Sequence, residues 1–303
     1  MNIEKLLKGV SYTAIHGDMG REVRHLTFDS RTVTEGSCFF AIEGTVVDGH
    51  NYISSAEQKG ATAIVCKRLP EQLDTQNTTY IVTDDTDMAM ATMAAAFYGN
   101  PSRKLKVVGV TGTNGKTTIA TLLYDLVRAM GHKAGLISTV VYKVDDEQIE
   151  STHTTPDTIR LNAMLAAMVE RGCKYCFMEC SSHAIVQQRI RGLHFKGVLF
   201  TNITHEHLDY HKTFAEYIRA KKMLFDRLPK SAFALVNIDD RNGEVMLQNC
   251  KAQCYRLSLQ KMADFRAKVI EMMVEGMQLR VDDREVWVQF LGRFNAYNLL
   301  CVY

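Results

Sequence analysis

The sequence predicts an α/β protein, with a smaller N-terminal α/β unit followed by a doubly wound, mostly parallel sheet carrying a phosphate loop. Three observations lead there. Short apolar runs at 61–66, 105–110, 134–137, 176–179, 197–202 and 232–237 alternate with stretches of helical period, the pattern of parallel strands joined by crossover helices. A glycine-rich turn ending in Lys116-Thr117-Thr118 lies between one such strand and the helix after it. The length, 303 residues, is too great for one ordinary core and suits two. The best boundary is Gly99-Asn100-Pro101-Ser102, which gives units 1–100 and 101–303.

Composition narrows the function classes. Lys and Arg total 36 against 34 Asp and Glu, a formal charge of +2, too balanced for general nucleic-acid or membrane-surface binding. No apolar stretch approaches the ~20 residues that span a bilayer. Met1 to Lys8 reads as an amphipathic helix interrupted by charge and not as a signal peptide.

Each element follows in order. Asp29-Ser30-Arg31 through Ile42 is a strand region punctuated by glycine, leading to turn signals at Gly44 and Asp48-Gly49. Residues 53–59 form a short helix stopped by Gly60, 61–66 a buried strand, and 86–98 an Ala- and Met-rich helix. Beyond the boundary, Leu105 to Val110 is a strand. A helix follows with Ile119, Leu122, Leu123, Leu126, Val127 and Met130 on one face. A further helix runs from Thr155 to Glu170, with Thr155 as N-cap and Pro156 at its first position. After Lys268 the period becomes two, predicting a hairpin with Met277, Leu279 and Val281 facing Val286 and Val288 across Asp282-Asp283. The last run, from about Asn295 to Tyr303, is apolar and helical with no cap. The chain reads as cut there, with a frayed last turn around Leu299, Leu300, Val302 and Tyr303.

Eight cysteines are present. Cys173, Cys176 and Cys180 have a spacing that suggests a metal cluster, but they sit in an apolar strand and read as reduced core thiols. Cys250 and Cys254 lack a partner pair at ligand spacing.

Chemistry concentrates in three segments. Thr111-Gly112-Thr113-Asn114-Gly115-Lys116-Thr117-Thr118 departs from the strict phosphate-loop spacing, because its first glycine falls on Val110. Its strand–loop–helix setting is nonetheless the one in which backbone amides cradle phosphates, a lysine reaches them and a hydroxyl meets Mg²⁺. Glu179 ends an apolar strand, where a carboxylate can hold Mg²⁺. Thr204 to His211 packs three histidines and two acids into eight residues, and is read as lying beside the nucleotide in preference to an independent zinc site.

These segments resemble the Mur ligases, most closely the MurE type, the UDP-N-acetylmuramoyl-tripeptide synthetases. The carriers are residues 111–118, His153-Thr154-Thr155-Pro156-Asp157, Met178-Glu179-Cys180-Ser181-Ser182-His183, Thr201-Asn202-Ile203 with His207-Leu208-Asp209-Tyr210-His211, and Ala220-Lys221 followed by Leu224-Phe225. Asp29-Ser30-Arg31, Phe39-Phe40-Ala41 and Asp48-Gly49 resemble the family's uridine-binding domain.

The resemblance implies a cytoplasmic, monomeric ligase of peptidoglycan precursor synthesis, hence of cell-wall biogenesis, cell shape and division. ATP would phosphorylate the D-glutamate carboxylate of UDP-N-acetylmuramoyl-L-alanyl-D-glutamate. The amine of diaminopimelate or lysine would then attack the acyl phosphate. Lys116, His207 and Lys221 would be catalytic. Gly112, Thr113, Asn114, Gly115, Lys116, Thr117 and Thr118 would hold ATP, with Asn295 and Asn298 on its adenine side. Thr117, Glu179, His207 and a carbamylated Lys221 would hold Mg²⁺. Ser30 with Thr45, Val46 and Val47 would meet the uridine end, and Thr154, Thr155, Ser181, Gln187 and Arg189 the muramoyl-peptide part. The family's C-terminal amino-acid-binding domain is expected to be absent, leaving an inactive fragment. The competing reading is a nucleotide-binding regulatory or assembly module. A folate-polyglutamate ligase is disfavoured by the Asp29 to Gly49 region and by Thr154-Thr155-Pro156.

Overall fold

The computed structural model describes residues 1–44, 47–151, 153–206 and 208–303. By internal contacts the chain forms two compact units. The first comprises Met1–Pro101 with two later segments, Asp157–Ala166 and Gln188–Leu193; the second holds the remainder.

In the first unit β1 (Ala14–His16), β2 (His25–Thr27), β3 (Ser37–Phe40), β4 (Ala61–Cys66) and β5 (Thr79–Val82) form one sheet in the order β1-β5-β4-β3-β2. Strands β2 to β5 are parallel, and β1 closes the edge antiparallel to β5. Both sheet faces are buried, which is why β3 and β4 are apolar on consecutive residues and do not alternate. One face packs Phe40, Val65 and Ile81 with Met90 and Met93 of the helix Thr86–Phe97. The other packs Phe39, Ile64 and Tyr80 with Ile53 and Ala56. The N-terminal amphipathic helix is a single turn, Ile3–Leu6.

In the second unit, β6 (Lys106–Thr111), β7 (Ala134–Ile137), β8 (Val141–Val144), β9 (Glu147–Glu150), β10 (Tyr175–Glu179), β11 (Phe195–Phe200), β12 (Phe233–Asn237), β13 (Gln253–Ser258), β14 (Phe265–Met273), β15 (Gly276–Val281) and β16 (Arg284–Val288) make a single sheet. Its order is β16-β15-β14-β13-β12-β11-β6-β10-β7-β8-β9, parallel from β14 to β7 and antiparallel at both edges. β6 lies between β10 and β11, and the helix Lys116–Ala129 leaves its carboxyl end. Chain order diverges on either side of β6, and the crevice at such a switch point is where open α/β sheets bind ligands.

The predicted hairpin forms with the predicted facing: Met277 opposes Val288 and Leu279 opposes Val286. It extends the parallel sheet through β14. A second hairpin, β8–β9, turns at Asp145-Asp146 and was not foreseen, because its outer strand is largely polar.

Two expectations are corrected. Thr155 does not cap the helix that follows, which runs Thr158–Glu170; Asp157 Oδ1 accepts from the Ile159 and Arg160 amides at 3.0 and 2.9 Å. The last turn is packed and not frayed. Leu300 is 2 % and Cys301 7 % exposed within the second unit's core, and the Tyr303 amide and hydroxyl bond to the Leu299 carbonyl and Asp282. Among the described residues no helix is long and apolar enough to cross a membrane.

Candidate functional site

The residues after β6 form a loop held from outside by the segment after β11. The Thr113 amide donates to the Asn202 carbonyl at 2.8 Å, the Asn114 amide to Asn202 Oδ1 at 3.0 Å, and Thr201 Oγ1 to the Asn114 carbonyl at 2.6 Å. Two glycines are obligatory there. A Cβ at Gly112 would stand 1.9 Å from Thr201 Oγ1, and one at Gly115 2.4 Å from Asn298 Oδ1. Both glycines have positive φ, 151° and 88°. Gly115 caps the helix Lys116–Ala129 with no side-chain acceptor on its first amides, which leaves that helix N-terminus facing the loop as an anion seat.

Lys116 folds back over the loop, its Nζ donating to the Gly112 and Thr113 carbonyls at 3.0 and 2.7 Å. Burial lowers its pKa, with the Glu179 and Glu206 charges opposing. Thr117 Oγ1 donates to Glu179 Oε1 at 2.8 Å. Glu179 is fully buried at the end of β10 and also accepts from the Thr139 amide at 2.7 Å and hydroxyl at 3.1 Å. Among the described residues this carboxylate is therefore held by neutral donors, with no cation bonded to it. Desolvating a charge in that way is costly unless a cation joins it. Together, the hard oxygens of Thr117 and Glu179 suit Mg²⁺.

Lys221 enters from the helix Phe214–Asp226. It is 1 % exposed, donates to the Gly112 carbonyl at 2.8 Å, and lies 4.6 Å over the Tyr217 ring. Desolvation, assisted by the Lys116 charge, holds its pKa well below the ordinary lysine value. Lys222 points elsewhere, to Asp226 and the Gln248 carbonyl. Tyr217 also hydrogen-bonds Thr113 Oγ1 at 3.2 Å and stacks on His211, whose Nε2 meets Ser182 Oγ at 2.8 Å.

Beside the loop opens a cavity of about 850 Å³, lined by Asn114, Gly115 and Thr118 with Asp239, Arg293 and Asn298 among others. Its volume suits a nucleoside-sized ligand. Asn298 Nδ2 donates to Asn295 Oδ1 at 2.9 Å, so Asn295 stands behind the wall.

The remaining expected residues divide between the units. Thr154 Oγ1 accepts from Thr139 Oγ1 at 3.2 Å, Thr155 Oγ1 donates to the Glu179 carbonyl at 2.8 Å, and Ser181 caps the helix Ser182–Val186. Gln187 Nε2 donates to the Tyr210 hydroxyl at 3.3 Å. All four lie in the second unit. Ser30, Val47 and Arg189 belong to the first: Ser30 accepts from Lys59 Nζ at 2.7 Å through its carbonyl, Val47 from the Gly44 amide, and Arg189 from Thr158 Oγ1. Thr45, Val46 and His207 lie outside the described residues.

Cys173, Cys176 and Cys180 are buried free thiols, as read. Among the described residues the cluster of three His, Cys, Asp or Glu side chains close enough to share a metal is Glu43, Asp48 and His50, and Lys67 and Arg68 already pair with its carboxylates. Thr139, Tyr217, Asp239 and Arg293 escaped sequence reading. Thr139 and Asp239 sit in stretches with no motif, Tyr217 and Arg293 near named residues but with no pattern of their own, and only tertiary placement brings each to the loop or cavity.

Comparison with known proteins adds the family. The Mur ligase middle domain matches residues 110–303, and the Mur ligase family catalytic domain matches 22–98. The UDP-N-acetylmuramoyl-L-alanyl-D-glutamate--2,6-diaminopimelate ligase of Phocaeicola vulgatus is 54% identical over all 303 residues, and that of Cytophaga hutchinsonii 52%. A Clostridium acetobutylicum ligase of the same name is 39% identical over 99% of the chain. In each case the chain spans 62% of the relative's length. A solved 2,6-diaminopimelate ligase structure superposes with TM-score 0.84 at 24% identity, covering all of this chain and 62% of that one. MurF from Acinetobacter baumannii superposes with TM-score 0.70 at 18% identity, over 99% and 63%. At such identities these likenesses show the fold.

Proposed function

The chain belongs to the Mur ligase family, and from that membership and the loop's geometry we propose that the protein is the ATP-dependent ligase joining 2,6-diaminopimelate to UDP-N-acetylmuramoyl-L-alanyl-D-glutamate. It would act in the cytoplasm, in peptidoglycan precursor synthesis. The carrying observation is convergence: Lys116 and Thr117 of one helix, Glu179 of β10 and Lys221 of a second helix, three separate elements, meet at one loop at the carboxyl end of β6. The relatives named for this reaction supply the substrate class.

Residues 101–303 would bind ATP, with the triphosphate on the 112–118 backbone and the nucleoside in the cavity ending at Asn298. Residues 1–100 would hold the uridine end through Ser30 and the segment containing Thr45, Val46 and Val47. Thr154, Thr155, Ser181, Gln187 and Arg189 would meet the muramoyl-peptide. A carboxylate attacking the γ-phosphoryl group brings anions together, so positive charge must converge where they meet. Lys116 supplies one such charge on leaving its carbonyl perch for the phosphates. Mg²⁺, held by Thr117 and Glu179 with His207, would supply the rest. Lys221 as an ammonium cannot ligate a cation. Its burial against a carbonyl and a ring favours the neutral amine, the form that takes up carbon dioxide to become an anionic carbamate.

The test uses the protein at its relatives' full length. Phosphate release should require the UDP-dipeptide and diaminopimelate together, and Lys116→Ala should lower it about 10²–10³-fold with the fold intact by circular dichroism. Turnover independent of the amino acid would leave only a nucleotide-binding module.

A further inference from the structure

Of the eight cysteines, six are buried, and the two that reach solvent, Cys250 and Cys254, are neighbours that influence each other electrostatically. Cys250 follows the helix Gly243–Leu247, its amide donating to the Leu247 carbonyl at 3.0 Å. Cys254 is the second residue of β13, whose first amide, at Gln253, is fixed to the Ala232 carbonyl at 3.1 Å. The intervening Lys251-Ala252-Gln253 must therefore turn, and the turn brings the two thiols within interacting range of each other. Cys254 Sγ also lies 3.4 Å from the Ala252 carbonyl, so its side chain is directed back over the turn. Two thiolates fall short of the four ligands of a structural zinc site, and no third ligand joins them among the described residues.

We propose that Cys250 and Cys254 are a redox-labile pair that closes into a reversible disulfide across this turn. The oxidant is a small-molecule disulfide of the glutathione class. One cysteine thiolate attacks a sulfur of the oxidant, forming a mixed disulfide and expelling one glutathione thiolate. The second cysteine thiolate then attacks the protein sulfur of that mixed disulfide and expels the other. Two protein thiols are oxidised, one glutathione disulfide is reduced, and the two protons given up by the protein thiols end on the two expelled glutathione thiolates as thiols. Burial raises the Cys254 thiol, and the nearby Arg256 charge opposes that rise. The other six cysteines do not compete, because no attacking reagent reaches them without unfolding.

The experiment incubates native protein with oxidised glutathione, quenches with acid, alkylates and maps the peptides by mass. The expected product is a 250–254 bridge lighter by two hydrogens, reversed by dithiothreitol, with the six buried cysteines alkylated only after denaturation. Cys250→Ser and Cys254→Ser should each stop at the mixed disulfide on the remaining thiol, releasing glutathione at least about tenfold more slowly than the unsubstituted protein. The proposal is overturned if the unsubstituted protein also stops at mixed disulfides. Oxidation spread evenly over all eight cysteines would overturn it too.

Discussion

Two loops in this chain are built on opposite physical plans. The phosphate loop of the second unit, residues 111–118, is shaped by neutral hydrogen bonds to Thr201 and Asn202 and by glycines that admit no side chain. In the first unit, Glu43 and Asp48 are held by charges: Glu43 pairs with Lys67 and Arg68, and Asp48 with Arg68 and His50. Arg68 is 60 % exposed and Glu43 37 %. Ion pairs so open to water contribute little and weaken with salt. A buried network of fixed geometry fails when one member is changed. Substitutions should thus be costly at the first loop and mild at the second.

The largest effect belongs to Gly112→Ala. Its Cβ would overlap Thr201 Oγ1 and stand 3.0 Å from the Asn202 carbonyl, at a φ that L residues rarely adopt. Strain and overpacking together cost about 3 kcal/mol or more. Denaturant melts should show that loss, and calorimetry should show ATP binding abolished. A melt within about 0.5 kcal/mol of the parent would mean the loop yields, and the contrast with the charged segment would disappear.

A gain of stability is expected from Lys221→Met. The Lys221 amine is 1 % exposed and meets a carbonyl and a ring in place of a carboxylate, so it is costly to bury in either protonation state, and an apolar chain of similar length should stabilise by about 1–3 kcal/mol in bicarbonate-free buffer. On the role proposed for Lys221, the same substitution in the protein at its relatives' full length should abolish ligase turnover, as expected of a residue kept for function at a cost to the fold. If it instead melted lower than the parent, the lysine would be a structural member of the network and the cost assigned to it would be wrong.

How much of this was legible in sequence follows from range. Strands β4, β6, β7, β10 and β12 announce themselves as short apolar runs because both of their faces are buried, and the hairpin at Met277 to Val288 through its period of two. Strands β1 and β2 are three residues each and carry no pattern that a window could detect. Within the candidate site, the contiguous loop is legible, as is Glu179, an acid ending an apolar run. Lys221, by contrast, needed the family resemblance, since a Lys-Lys pair on an amphipathic helix looks solvated. The structure separates the two lysines by helical phase, turning Lys221 to the loop and Lys222 to Asp226. Thr139 could not be read. It meets Glu179 across 40 residues of chain, in a turn with no composition of its own.

The smallest effect tests the charged segment directly. Asp48 is lowered to about 2 from its ordinary 3.8, first by the His50 amide at 3.0 Å, then by the His50 ring at 2.6 Å and by Arg68. The His50 ring donates from Nδ1, because its Nε2 accepts from the Lys67 amide at 3.0 Å. With the native value depressed, the unfolded state binds the extra proton between the two values. The carboxylate's contribution is therefore complete above 3.8 and lost as pH falls through about 2. Asp48→Asn keeps an oxygen for the His50 amide but loses the charge. It should melt somewhat below the parent near neutrality and show a flatter acid limb, with the two curves converging at the lowest pH. Raising salt to about 0.5 M should shrink the difference between the curves, because the pairs are exposed. A deficit near neutrality as large as that of Gly112→Ala, or one indifferent to salt, would mean that the charges set the segment's geometry as rigidly as the glycines set the phosphate loop.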